Sequence, residues 1–125
     1  MKVVVALGGN ALGNSPEEQI ALVKHTGESV ADLIEAGHEV TLVHGNGPQV
    51  GMIQSAFETA SKKNKKVPLM PLPECGAMSQ GYIGFHLQSA IRNELDKRGI
   101  ERDIVTFVTQ TLVDKEDPGF KHPSK

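Results

Sequence analysis

The hydrophobic positions of the chain predict short strands that alternate with long helices. Residues 2–7 and 39–44 are short runs rich in β-branched residues, each followed by glycine, and both are typical of strands. A similar run over 103–109, with an extension through 111–113, predicts a third strand. Because the first run is continuously apolar rather than alternating, it favours a parallel sheet covered on both faces.

Three segments with helical spacing are predicted between and beside these strands. The first begins at Ser15, where a capping hydroxyl is followed by proline and two acids, and it ends at Gly37. The second runs from about residue 49 to 60, and the third from residues 74–77 to Gly99. The third carries an apolar stripe at four-residue spacing: Ile83, Leu87, Ile91 and Leu95. This order predicts a three-layer α/β/α sandwich with a mainly parallel sheet.

Composition narrows the class of protein. The chain has 125 residues, enough for one modest domain, and its 13 basic and 15 acidic residues give a net charge of −2. This balance gives no electrostatic reason to expect nucleic acid or an anionic membrane as a partner. The single cysteine, Cys75, excludes an internal disulfide and favours a cytoplasmic location. The apolar run before Gly8 is too short for a signal segment or a membrane span.

Glycine turns follow the first two predicted strands and carry the candidate chemistry. The first is Gly8-Gly9-Asn10-Ala11, and the second lies within His44-Gly45-Asn46-Gly47-Pro48-Gln49-Val50-Gly51. A glycine turn between a strand and a helix directs free N–H groups and the positive end of the helix at one point, which attracts phosphate or carboxylate. Both turns would lie at the carboxyl edge of a parallel sheet, where ligands of α/β proteins bind.

Asn10 and Asn46 can donate hydrogen bonds to a small ligand, although each could instead only stabilise its turn. Neither turn matches GxxxxGK[ST] or GxGxxG, which disfavours a P-loop or a dinucleotide site. The histidines show no ligand spacing, so no metal site built by the protein is predicted. Cys75 is interpreted as a structural residue, and the lysines at 62, 63, 65 and 66 as a solvated run.

Four segments together resemble carbamate kinase, a member of the amino acid kinase superfamily. They are GGNA at 8–11, HGNGPQVG at 44–51, PLPECGAMSQGYIG at 71–84 and FKHPSK at 120–125. The resemblance runs across the whole chain but covers less than half of the family's usual length. It implies an amino acid kinase-like, Rossmann-like fold in which residues 1–125 are the N-terminal, acceptor-binding part. The C-terminal, nucleotide-binding part would then be absent, and the fold truncated.

The resemblance implies a reversible phosphoryl transfer in which carbamoyl phosphate and ADP give ATP and carbamate, with Mg²⁺ bound together with the nucleotide. Gly8, Gly9 and Asn10 would present donors to the moving phosphoryl group, which makes Gly9 and Asn10 catalytic as well as substrate-binding. Gly45, Asn46 and Gly47 would hold the carbamate end. Lys125 would stabilise charge in the transition state, and Lys121 is a weaker candidate. A cytoplasmic homodimer that acts in arginine catabolism is implied as well.

Two alternatives stay open. The first alternative is another acyl-phosphate kinase of the superfamily. Related kinases carry a K-x-G-G motif in the first strand, whereas this chain has Ala6 at the position of the lysine, which weighs against that alternative. The other alternative is a non-catalytic fragment that folds or dimerises and binds a small anion. Since the strand at 103–113 would lack its covering helices, we expect the isolated chain to self-associate.

Overall fold

A computed structural model describes residues 1–8 and 11–122, and in these ranges it contains the first two predicted strands and the three predicted helices. The chain therefore has the α/β architecture that its hydrophobic pattern indicates. Its elements are β1 (Lys2–Leu7), α1 (Pro16–Glu35), β2 (Glu39–His44), α2 (Gly47–Lys63), α3 (Leu72–Lys97) and a 3₁₀ turn at Pro118–Phe120.

The sheet consists of β1 and β2 in parallel, which confirms the predicted sheet type. The ladder runs without a shift from Lys2 opposite Glu39 to Leu7 opposite His44. Alternate residues of both strands are half-buried against the helices, while the opposite face is open, with Val4 69% exposed. The expectation that both faces are covered thus fails for the described residues, in which helices pack on one face only.

The first helix begins where its sequence predicts. Ser15 is the N-cap, and its side chain accepts a hydrogen bond from the backbone N–H of Glu18 at 3.2 Å. Glu18 in turn accepts from the backbone N–H of Asn14, so the chain enters α1 at a defined angle. Gly37 follows the last turn with φ +84°, a backbone conformation that favours glycine, and so ends the helix as expected.

The core lies between α1 and α3. The predicted stripe of α3 is confirmed, since its four apolar residues are all buried. One core cluster joins the stripe to Leu12 and Val23, and a second joins it to Val30 and Ala31. The two helices approach closely at Gly27, where a Cβ would lie 3.0 Å from the backbone of Ala90.

An exposed ion-pair cluster holds the ends of α1 and α3 together. Arg98 contacts Asp32 at 2.7 Å, Glu35 at 2.9 Å and Glu94 at 3.1 Å. Hydrogen bonds from Lys97 and then Arg98 lower the pKa of the Glu94 carboxyl, and the hydrogen bond with Asp32 is the largest of the effects that raise the pKa of Arg98. The cluster pairs two cations, Arg98 and Lys97, with three carboxylates, and its contacts to Asp32 and Glu35 fasten α3 to the end of α1.

The prediction of a third strand over residues 103–113 is wrong. Residues 103–113 form no strand in the described structure, because their backbone pairs with neither β1 nor β2. The segment lies along α3 instead: the backbone N–H of Thr109 donates to the side-chain oxygen of Gln80 at 2.7 Å, and the Thr106 hydroxyl donates to Gln88 at 2.9 Å. Apolar residues suited to a strand, such as Phe107, are consequently exposed.

We predict opposite outcomes for the same substitution at two helical glycines. Gly81→Ala meets no neighbour within 4 Å, so it should raise the free energy of unfolding through helix propensity, by up to about 1 kcal/mol. Gly27→Ala places its methyl group against the α3 backbone, and it should be less stable than Gly81→Ala by about 1–3 kcal/mol. Urea unfolding of both variants tests this, and equal stabilities would contradict the close packing at Gly27.

We also predict that the isolated 125-residue chain self-associates through its exposed apolar segment. Phe107 is 74% and Leu112 100% exposed, and the open face of the sheet adds further apolar surface. Phe107→Lys should lower the weight-average mass measured by light scattering at micromolar concentration. Phe120→Lys, at a similarly exposed position outside this segment, is the matched control. A monomer in the unsubstituted chain would refute the prediction.

Candidate functional site

The two glycine turns begin side by side at one edge of the sheet. Because Leu7 and His44 are ladder partners, both strands end at the same level. The backbone N–H of Gly45 donates to the carbonyl of Leu7 at 3.4 Å, which holds the start of the second turn against the end of β1. Gly8 and Gly45 are both exposed, so their backbones are open to a ligand.

Three of the predicted catalytic residues lie outside the described residues: Gly9, Asn10 and Lys125. The segments next to the first two are described. The carbonyl of Gly8 accepts from the backbone N–H of Ala11 at 3.0 Å, and Leu12 is buried in the core. The loop that follows β1 is therefore anchored at both of its described ends.

The second turn leads directly into α2, and Asn46 is the N-cap of that helix. Its side chain makes no capping hydrogen bond, Gly47 is exposed, and Pro48 has no N–H group. The positive end of α2 is therefore directed at the open edge of the sheet without a side-chain cap. Such an end suits an anion.

Asn46 is oriented by a residue of α3. Its side-chain nitrogen donates to the hydroxyl of Ser79 at 2.8 Å, and the fully buried Ser79 donates to the carbonyl of Gly76 at 2.7 Å. One N–H of the Asn46 amide is thus used within the protein, while its other N–H and its oxygen can serve a ligand. The sequence prediction selected Asn46 but missed Ser79, which pattern alone does not link to it.

Gln49 connects the start of α2 to the segment that follows the first turn, beneath the surface. Its side chain is 4% exposed, and its nitrogen donates to the carbonyl of Gly13 at 3.0 Å, with the carbonyl of Leu12 as a longer contact at 3.5 Å. The same nitrogen donates to the side-chain oxygen of the fully buried Gln19 at 3.0 Å. Burial of an amide is costly unless it is hydrogen-bonded, so these contacts hold the loop after β1 against the start of α2.

Sequence reasoning assigned Gln49 only to a helix start and did not select Gln19. A signal for Gln19 exists, since it stands four residues before Val23 and eight before Gly27 on the buried face of α1. A glutamine in that row indicates a buried polar partner.

His86 completes this polar chain. Its Nδ1 lies 3.0 Å from the side-chain nitrogen of Gln19, and its ring packs edge-on against Tyr82 with centroids 5.0 Å apart. Partial burial lowers the pKa of His86, because the charged imidazolium loses hydration. Burial, and secondarily the negative charge of Glu17, raises the pKa of Tyr82.

The structure also shows the surroundings of His44, Cys75 and the lysines at 62–66, which the sequence analysis considered. Nδ1 of His44 lies 2.9 Å from the carbonyl of Gly45, at the strand end where it was expected. Cys75 is fully buried, as its structural interpretation predicts, and the lysines of the 62–66 run are all exposed.

Within residues 1–8 and 11–122, no group of three His, Cys, Asp or Glu side chains is placed to hold a metal ion. No helix in these ranges is both long and apolar enough to cross a membrane.

The fold and the paired glycine turns define a class of protein, which comparison with known families identifies. A model of the amino acid kinase family matches residues 1–115. The chain belongs to the amino acid kinase family.

Within that family the chain is similar to carbamate kinases. It is 55% identical to the carbamate kinase of Clostridium perfringens, over 100% of the chain and 41% of that protein. It is 53% identical to the carbamate kinase-like protein YqeA of Escherichia coli, over 99% of the chain and 40% of that protein. The carbamate kinase of Giardia lamblia bound to AMP-PNP matches with 40% identity and a TM-score of 0.91, over 99% of the chain and 44% of that structure. The chain thus spans about two fifths of these relatives.

Proposed function

We propose that the chain is the acceptor-binding part of a carbamate kinase, which transfers a phosphoryl group reversibly between ATP and carbamate. The observation that carries this proposal is the pair of glycine turns that begin next to each other at the carboxyl edge of the parallel sheet, with Gln49 of α2 bound to Gly13 after the first turn. Phosphoryl transfer depends mainly on positioning and charge stabilisation, and a pair of N–H-rich turns suits both. Ala6, in place of the first-strand lysine of related kinases, favours carbamate kinase over other members.

The two turns divide the substrate between them in this proposal. Gly8, Gly9 and Asn10 donate to the phosphoryl group as it moves. Gly45, Asn46 and Gly47 hold the carbamate end, and the amide that Ser79 orients supplies both a donor and an acceptor. Carbamate has a carboxylate-like group, which accepts hydrogen bonds, and an amine, which donates them. It therefore matches an amide that offers both a donor and an acceptor.

Charge stabilisation and the nucleotide come from elsewhere in this proposal. Lys125 stabilises negative charge in the transition state, with Lys121 as a weaker candidate. ATP or ADP binds through the part of the protein that the relatives have beyond this stretch. The described residues offer no acidic cluster for a metal, so Mg²⁺ would be held chiefly by the nucleotide phosphates. We further propose a cytoplasmic homodimer that acts in arginine catabolism.

Asn46→Ala should weaken carbamoyl phosphate binding by about 1–3 kcal/mol, because a polar group of the substrate loses its partner. The measurement is the dissociation constant for carbamoyl phosphate in the complete protein that contains residues 1–125. Asn93→Ala, at an exposed position of α3, is the matched control and should leave the constant unchanged. An unchanged constant in the Asn46 variant would remove Asn46 from the substrate site.

Lys125→Ala should lower the rate of ATP formation from ADP, Mg²⁺ and carbamoyl phosphate by about 10²–10³-fold, as loss of a charge-stabilising group does. Lys115→Ala, at an exposed position ten residues earlier, is the matched control. The assay is run on the complete protein and on the 125-residue chain. No ATP formation by the complete protein would contradict the proposed function. Binding of carbamoyl phosphate without turnover by the chain alone would show that catalysis requires further residues.

A further inference from the structure

The buried amides of Gln49 and Gln19 form a hydrogen-bonded chain whose direction is set at one end. The backbone carbonyl of Gly13 can only accept, so the Gln49 group that faces it must be the side-chain nitrogen. The same nitrogen donates to the oxygen of Gln19, which directs the nitrogen of Gln19 at His86. Nδ1 of His86 must therefore accept, and the imidazole is neutral with its proton on Nε2.

The other end of the Gln49 amide does not hold it in place. Its side-chain oxygen is buried and has no hydrogen-bond partner among the residues that the structure describes. Among the described residues, the contacts that orient Gln49 are on its donor side and involve Gly13, Gln19 and, at longer range, Leu12. Gln19 in turn is held in its orientation by His86, the last member of the chain.

We propose that Gln19 and His86 are positioning residues, which act through Gln49 to hold the loop after β1 in the geometry that phosphoryl transfer requires. This inference rests on the proposed function, in which that loop contacts the phosphoryl group. It adds residues that touch neither substrate nor nucleotide. His86 acts as the neutral acceptor that ends the chain and pairs the side-chain nitrogen of Gln19.

Protonation of His86 would break the chain. An imidazolium has N–H groups on both nitrogens, so Nδ1 can no longer accept from Gln19. Rotation of the Gln19 amide would restore that contact but would place two donors, the nitrogens of Gln19 and Gln49, against each other. Rotation of Gln49 would then place its oxygen against the carbonyl of Gly13. Every arrangement with charged His86 therefore loses a buried hydrogen bond.

Protons can reach His86 from the surface. Its ring borders an open cleft of about 580 Å³ between α1 and α3, which Ile20 and Phe85 also line. The charged groups of this cleft are Lys24 from α1 and Glu94, Asp96 and Lys97 from α3. Glu17 acts on the neighbouring Tyr82, whose ring contacts that of His86. His86 has no acidic hydrogen-bond partner among the described residues, which is consistent with a neutral ring.

The sign of the pH dependence follows from the lowered pKa of His86. The neutral form is favoured in the folded protein, so the positioning is present above the ordinary histidine pKa of about 6.5. It is lost as the pH falls through the lower pKa of the folded state. The rate of ATP formation should decline over that same range.

Two substitutions of His86 separate its role as a hydrogen-bond acceptor from its role in packing. An asparagine at this position places an oxygen near the position of Nδ1 and cannot be protonated. A leucine fills similar space but accepts no hydrogen bond. His86→Leu should lower kcat for ATP formation at least about tenfold, with a smaller change in KM for carbamoyl phosphate. His86→Asn should keep kcat near that of the unsubstituted protein and should lack the decline at low pH. His25→Leu and His25→Asn, at an exposed position of α1, are the matched controls.

A second measurement is independent of activity. Amide hydrogen exchange of residues 11–14 should be faster in His86→Leu than in His86→Asn, because the loop loses its support only in the former. Gln54→Leu, a surface amide of α2, controls for the loss of any glutamine contact.

The outcomes distinguish the inference from the proposed function. If the unsubstituted complete protein forms no ATP, the proposed function fails, and exchange at residues 11–14 still tests the support of the loop. If that protein is active, kcat of His86→Leu within twofold of it would overturn the positioning role. Equal losses in His86→Leu and His86→Asn would overturn it as well, since Asn should rescue the acceptor.

Discussion

The parallel ladder between β1 and β2 is the interaction on which the site depends. With Leu7 opposite His44, both strands end at one level, and the turns that follow them begin side by side. A shift of one residue would turn the half-buried set of β2, which includes Val40 and Leu42, toward the open face. The core formed with α1 and α3 therefore enforces the register, and the register places the two turns together.

Hydrogen bonds of side-chain amides then fix the backbone near the two turns. Gln49 joins the loop after β1 to α2, and Ser79 joins Asn46 to α3. Hydrophobic packing holds elements at a distance from one another but does not fix the direction of a carbonyl or an amide. Hydrogen bonds between buried polar groups do fix that direction, because a buried polar group without a partner costs free energy. Asn46 of the second turn and Gly13, which follows the first turn, are thus each held by a polar contact to a neighbouring helix.

The segment after α3 shows where local pattern is insufficient. Residues 103–109 have the composition of a strand, yet a strand exists only when its backbone finds a ladder partner. Here Gln80 and Gln88 of α3 bind Thr109 and Thr106 instead. Gly84 permits this approach, because a Cβ there would overlap the Thr106 side chain.

The sequence by itself determined both strands, the three helices and the positions of the glycine turns. These features depend on neighbours within a few residues: the Ser15 cap, the four-residue stripe of α3, and the glycine that follows each strand. Only the tertiary structure decided which side chains meet, because Gln19, Gln49 and His86 are separated by 30 and 37 residues along the chain. Their contacts depend on how α1, α2 and α3 pack, and no local periodicity encodes that.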